Sequence, residues 1–235
     1  VSVVYIFIFI LGAIAGSTIE AFIYRRNNFK SFVFGRSKCE SCNHIIPMYY
    51  NIPIISYIYL RGKCKYCNSK ISIFNFLCEL SGGVLFALAF HKYGFNVYFL
   101  FRLFEIILLL LIAFNDLNEM YIHIVDVVLL FVVELLFKIY SGASIYSSIK
   151  PMILLFLFYS IIYILTKSVG EGDIVLGAVS GFFGSNLYEG FVIFRDSFII
   201  AAIVSVFLMV FKYKRREDNI AFCPYIVIGI LRMIL

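Results

Sequence analysis

The sequence predicts an all-α membrane protein, a polytopic bundle of about eight transmembrane helices with a small zinc-binding cytoplasmic loop domain. Three observations lead there. Hydrophobic residues make up 63% of the chain and charged ones only 14%, against roughly a quarter charged in soluble domains. Apolar runs of about 20 residues, long enough to cross a bilayer as helix, recur along the whole length. One long interruption, residues 25–72, gathers positive charge and four cysteines. A β-barrel would instead alternate in segments of roughly ten residues.

Taken in order, the apolar runs place spans near 3–24, 73–91, 95–115, 121–139, 151–167, 173–193, 197–211 and 220–235. The chain therefore divides into a first transmembrane helix (1–24), a cytoplasmic cysteine loop (25–72) and a transmembrane core (73–235). The first run lacks a basic leader and a small-x-small cleavage site, and Arg25-Arg26 follow it. It is read as a retained helix rather than a signal peptide.

Charge sets the expected orientation. The 25–72 segment holds Arg25, Arg26, Lys30, Arg36, Lys38, Arg61, Lys63, Lys65 and Lys70 against the single acid Glu40. The positive-inside rule puts it in the cytoplasm and the N-terminus outside. Counting spans then makes 212–219 cytoplasmic too, and that stretch carries Lys212, Lys214, Arg215 and Arg216. The connections expected outside, near 91–94, 140–150 and 194–196, hold only scattered basic residues. The same count brings Asp116 and Asp173 to the inner side together.

Cys39-Glu-Ser-Cys42 and Cys64-Lys-Tyr-Cys67 form two C-x2-C pairs separated by residues 43–63. Such knuckles deliver four thiolates tetrahedrally to Zn²⁺. In a reducing cytoplasm the thiols do not form structural disulfides. Four cysteines leave no open coordination position, so the expected zinc is structural. Cys78 and Cys223 fall in spans and read as small buried side chains.

Acids within or beside membrane spans are costly, so each needs a reason. The candidates are Glu20, Glu79, Glu105, Asp116, Asp126, Glu134 and Asp173. Asp173 stands in Gly170-Glu-Gly172-Asp173, where the glycines let another backbone approach its carboxylate; a helix-capping Asp is the plainer reading. Asp116 follows the apolar run ending Ile112-Ala-Phe-Asn115. At matching depth the two acids form a candidate catalytic pair, one carboxylate activating water while its protonated partner polarises a carbonyl. His44, His91 and His123 have no Ser or Cys partner at recognisable spacing, and no HExxH occurs.

These residues resemble the type IV prepilin leader peptidases along almost the whole chain. The resemblance is carried by Gly12-Ala-Ile-Ala-Gly16-Ser17, by Asn51-Ile-Pro53-Ile-Ile-Ser56-Tyr, and by Leu60-Arg61-Gly62-Lys63-Cys64 with Ile71-Ser72. Glu79-Leu80-Ser-Gly82, Gly170-Glu-Gly172-Asp173 and Phe222-Cys-Pro224-Tyr225 continue it. It implies a multi-pass protein of the bacterial plasma membrane that removes the short basic leader of prepilins, or of pilin-like secretion and competence proteins. Cleavage falls after a glycine on the cytoplasmic face. The family's catalytic aspartates fall on Asp116 and Asp173. Forms with the cysteine loop usually also N-methylate the new amino terminus with S-adenosylmethionine, for which no glycine-rich loop of the soluble methyl-donor type is present. The implied partners are these substrates and membrane lipid, not nucleic acid.

The chain departs from the family at several positions. Ile122-His123-Ile124 stands where Ile-Pro-Asp or Ile-Pro-Asn is usual, Val175 where a Lys is usual, Glu20 in place of Asn, and Glu40 in place of Pro. Asp126 fits the spacing of the first aspartate less well than Asp116. A basic leader would meet acids rather than the basic loop, which makes Glu119 and Glu171 candidates. Two other classes are weighed against this. A non-enzymatic membrane scaffold with a zinc-stabilised loop leaves the level aspartates without a role, and an ion-coupled transporter favours acids at mid-bilayer.

Overall fold

The computed structural model describes residues 2–26, 29–167, 169–211 and 220–235. Apart from two isolated bridges, the regular structure among these residues is helical. The chain divides into two compact units, Val1–Phe99 and Leu100–Leu235.

In the first unit, α1 (Ser2–Arg25) packs along α4 (Ile73–Tyr93). Apolar side chains gain little by leaving lipid for a neighbouring helix, so close backbone approach decides such a contact. Gly12 and Gly16 supply it. A Cβ added at Gly12 would lie 2.3 Å from the Gly82 carbonyl oxygen, and one at Gly16 would lie 2.4 Å from that of Cys78. Between these helices the loop folds into the short α2 (Phe29–Phe34), a 3₁₀ turn (Met48–Tyr50) and α3 (Ile55–Tyr59). Ser72 caps α4, its hydroxyl accepting from the Phe74 N–H at 3.2 Å.

The second unit takes in most of α5 (Val97–Glu119), then α6 (Ile124–Ser141), α7 (Ile145–Thr166), α8 (Glu171–Phe183), α9 (Leu187–Val210) and α10 (Cys223–Ile234). Helix α8 is its centre and touches α6, α7, α9 and α10. Glycines again set the spacing: a Cβ at Gly177 would lie 2.2 Å from the Tyr159 ring, and one at Gly181 would lie 2.5 Å from the Pro151 carbonyl oxygen.

Among the described residues, five helices (α1, α4, α5, α7 and α9) are long and apolar enough to cross a membrane. The other three of the eight expected spans are present as shorter or more polar helices. α6 carries Asp126, Glu134 and Lys138, α8 has 13 residues and α10 has 12.

Three boundaries differ from expectation. α5 runs on to Glu119, so Asp116 lies inside its last turn instead of following it. The expected 173–193 span stops at Phe183, because Gly184 ends it and Asn186 starts α9, its side chain accepting from the Glu189 N–H at 2.9 Å. Residues 194–196, expected as a connection, therefore lie within α9. There Asp196 is buried, paired with Arg195 at 2.8 Å and with Arg232 of α10. The basic stretch 212–219 lies outside the described residues.

Candidate active site and metal centre

Asp116 and Asp173 are both buried. They arrive from different helices at a place where the end of α5 meets the starts of α8 and α10. The Cys223 N–H, at the first turn of α10, donates to Asp116 Oδ2 at 3.2 Å. A helix start offers unpaired N–H groups and a positive dipole end, which suits a carboxylate. Pro224 follows, and its missing N–H costs nothing at this position.

Asp173 occupies the third position of α8, with Gly170 as the cap. The two residues bond reciprocally: the Asp173 N–H donates to the Gly170 carbonyl at 3.1 Å, and the Gly170 N–H donates to Asp173 Oδ2 at 3.0 Å. Asp173 thus does cap a helix, as the plainer sequence reading had it, yet only one of its oxygens is engaged. Among the described residues Oδ1 is buried without a hydrogen-bond partner.

The two carboxylates lie within each other's electrostatic field, and the buried Cys223 lies within the field of both. Tyr159, fully buried against Phe194, Phe198 and Phe222, lies within the electrostatic field of Asp173 as well.

The turn after α5 holds this arrangement together. Asn115, buried, donates from Nδ2 to the Tyr121 carbonyl at 2.7 Å. Ile122 then packs on Gly172, where an added Cβ would sit 2.8 Å from its own Cβ. Ile122 fills the space that the glycine leaves, and His123 stands at the N-cap position of α6 without a side-chain capping bond. Asp126 is buried in the first turn of α6, where its N–H donates to the His123 carbonyl at 3.0 Å. Glu119 and Glu171 are exposed at the ends of the helices that carry Asp116 and Asp173, and the Tyr163 hydroxyl donates to Glu171 Oε1 at 3.1 Å.

The remaining candidate acids serve other contacts. Glu79 Oε2 accepts from the Ile54 N–H at 2.7 Å, with Glu20 in its field. Glu105 and Glu134 belong to a buried ion network with Arg102 and Lys138.

In the loop, Cys39, Cys42, Cys64 and Cys67 bring four sulfurs within 4.8 Å of one another. The two halves are built alike. Asn43 and Asn68, each just after a C-x2-C, adopt positive φ (55° and 56°). Each returns its N–H to the first cysteine's carbonyl, at 2.8 and 3.0 Å. Antiparallel bridges, Lys38 to Ile45 and Lys63 to Lys70, close the two knuckles. The Cys39–Cys67 sulfur separation is 3.7 Å, matching the edge of about 3.8 Å in a tetrahedron with Zn–S near 2.3 Å. The Cys42 N–H and the Ser69 hydroxyl bring the Cys39 thiol down to about 6, and Ser69 lowers Cys67 too. Both shifts favour the thiolate that a metal needs, whereas desolvation and the neighbouring thiols push Cys42 the other way, up to about 11. His44 gives its carbonyl to the Cys39 N–H at 3.0 Å, and its ring stacks on Tyr66 with centroids 3.6 Å apart.

Residues 10–93 match the family described as the Bacterial Peptidase A24 N-terminal domain. The first part of the chain is thus similar to the N-terminal domain of the A24 peptidases. A relative from Myxococcus xanthus (strain DK1622), named a prepilin leader peptidase/N-methyltransferase, is 32% identical over 114 residues. That alignment covers 48% of this chain and 34% of the relative, so the chain spans about a third of the length of the curated relative it matches. No solved structure matches. The A24 match takes in α1, the cysteine loop and α4, whereas Asp116 and Asp173 lie beyond it. Asp116 and Asp173 are near enough for the charge of one to act on the other.

Sequence reading missed several contributors. Cys223 reads in the sequence only as a small buried side chain, although its N–H holds Asp116; the proline after it is the available sign of a helix start. Asn115 and Tyr159 sit unmarked in apolar runs. The Asn that follows both C-x2-C pairs is legible as a repeat, and its turn-forming role shows only in the structure.

Proposed function

We propose that the chain is a membrane aspartic endopeptidase that removes the short basic leader of prepilins or pilin-like proteins, cutting after a glycine on the cytoplasmic face. The observation that carries this is the meeting of two buried carboxylates at one junction of helix ends, each with an oxygen fixed by a backbone N–H. Like charges so placed do not both ionise readily, so the pair holds one proton between them. The ionised member takes a proton from water as the oxygen attacks the scissile carbonyl, and the protonated member gives its proton to the carbonyl oxygen. The tetrahedral diol then collapses: one diol hydroxyl returns its proton to the ionised member as the carbonyl re-forms, the peptide C–N bond breaks, and the nitrogen leaves with the proton of the other member. The pair is restored and no covalent intermediate forms. Asp173 Oδ1 supports this role, being buried and not committed to the fold.

Glu119 and Glu171, exposed beside the pair, are the groups that would meet the leader's basic residues. The test is cleavage of a prepilin-like substrate by the chain in lipid vesicles, followed by mass spectrometry. A single cut after glycine is expected from the wild type. Replacing Glu119 and Glu171 together by Gln should raise KM several-fold with little change in kcat, since exposed ion pairs contribute about 0.2–1 kcal/mol each. Unchanged KM would remove them from leader recognition.

The four cysteines fit zinc by number and sulfur spacing. The metal would hold the two knuckles together. Elemental analysis of the purified chain should give about one zinc per molecule, and Cys42→Ser should lose most of it because a closed four-sulfur site is broken. Full zinc retention by that variant would dismiss the site.

N-methylation with S-adenosylmethionine is suggested by the name of the relative. A cavity of about 180 Å³ lies between the loop and α4, lined by Tyr50, Tyr57, Phe76 and Glu79 among others. Pockets for molecules of cofactor size begin near 300 Å³, so this cavity does not enclose the donor and no methyl-transfer step is drawn through it.

A further inference from the structure

The short helix α3 is built inside out for a protein in water. Its buried residue is Ser56, whose hydroxyl accepts from the Ile52 N–H at 2.9 Å. Ile55, Ile58 and Tyr59 share the opposite face, at the spacing of one helix side, and stand 63%, 62% and 71% exposed. Ile52 before them is 44% exposed, and Tyr49 and Met48 are more so. Single exposed apolar residues are ordinary, but a contiguous set marks an interaction surface.

Two contacts fix where this face sits relative to the membrane. The Ile54 N–H donates to Glu79 of α4 at 2.7 Å, and the Tyr57 ring stacks on Phe76 with centroids 5.0 Å apart. α4 begins at Ile73 and is one of the five helices fit to span a bilayer. Glu79 lies six residues in, about 9 Å along the axis at 1.5 Å per residue. α3 is therefore tied alongside the first two turns of a membrane helix, not out in solvent beyond its end. Ile73 and Leu77 on those same turns are also exposed, continuing the apolar surface. Directly after α3 come the basic residues Arg61, Lys63, Lys65 and Lys70. Apolar and tyrosine side chains at this depth with lysines beyond them match the layering of a lipid interface whose headgroups are anionic.

We propose that residues 48–59 dock into the bilayer interface on the side where α4 begins, with Ile55, Ile58 and Tyr59 among the acyl chains and the following basic residues at anionic headgroups. The occupant of this face is lipid, and the cysteine module is held flat on the membrane by it.

The sequence contains no Trp, so a single introduced Trp reports its own surroundings. Ile58→Trp, Ile55→Trp and, as the control, Lys65→Trp would be placed in the full chain and reconstituted in phosphatidylethanolamine–phosphatidylglycerol vesicles. Lipids brominated high on the acyl chain should quench about half of the emission at positions 58 and 55, while acrylamide quenches them weakly. Position 65 should show the reverse. Acrylamide quenching at 58 and 55 equal to that at 65, with no effect of bromolipid, overturns the proposal in favour of a water-facing loop. Protection of both positions from both quenchers overturns it in favour of a protein partner.

Discussion

Asp116→Asn and Asp173→Asn should each lower the rate of leader removal by at least about a thousandfold, because each removes a proton donor and acceptor from the bond-breaking step. The chain should still fold. The side-chain amide introduced by Asp116→Asn keeps a carbonyl oxygen to accept from the Cys223 N–H, and the amide introduced by Asp173→Asn keeps one to accept from the Gly170 N–H. Neither substitution changes side-chain volume appreciably, so the contacts of Ile122 with Gly172 and of Tyr159 with Gly177 survive. The expected signature is lost turnover with unchanged thermal midpoint and unchanged zinc content. Cleavage that persists in either variant would assign the chemistry elsewhere.

Glu134→Ala should lower the stability of the purified protein by about 3–5 kcal/mol, the cost of leaving buried charge unpaired. Glu134 of α6 accepts from Arg102 at 2.9 Å and forms an ion pair with Lys138 at 3.4 Å, while Glu105 also pairs with Arg102. All four side chains are buried, and their formal charges sum to zero. The Arg102 guanidinium lies 3.7 Å over the Phe137 ring, and the Lys138 ammonium lies 5.4 Å from that of Phe182 on α8. The network therefore links α5 and α6 and leans on α8, the helix that carries Asp173. Arg102 lies about 21 Å along α5 from Asp116 at 1.5 Å per residue, so its work is to fix the helices, not to touch substrate. Removing Glu134 takes away the ion-pair partner of Lys138 and leaves Glu105 to balance Arg102. Glu134→Gln keeps one acceptor oxygen and should fall between the alanine variant and the wild type. A thermal midpoint unmoved by Glu134→Ala would show that the charges are solvated in practice.

The main outline of the fold is legible because the bilayer imposes it. Runs such as 3–24 and 73–91 match α1 and α4 closely, since a membrane helix must satisfy its backbone bonds internally and declares itself by length and apolarity. The later core is harder. A membrane helix interrupted by Gly184-Ser185-Asn186 shows little hydropathy change, so the apolar run overstates α8 and makes Arg195-Asp196 look like a connection. The stop and start are encoded in the Asn186–Glu189 cap, a side-chain signal weaker than the apolar run around it. The four-cysteine cluster is readable from spacing alone. Counting expects the two aspartates at one level, and the shifted boundaries leave the two helices expected between them, α6 and α7, in place. What counting does not show is the third element, the start of α10, which brings its N–H to Asp116 from 107 residues away.

The central claim, that Asp116 and Asp173 work as one pair sharing a proton, has a direct measurement. An epoxide inhibitor of aspartic peptidases esterifies an ionised carboxylate when a protonated neighbour donates to the opening ring. Peptide mapping by mass spectrometry after such treatment should find about one ester per chain, at Asp116 or at Asp173, because only one of the pair is ionised. That labelling should vanish when the partner aspartate is replaced by Asn. Labelling of either aspartate that persists in the absence of the other would contradict the shared site.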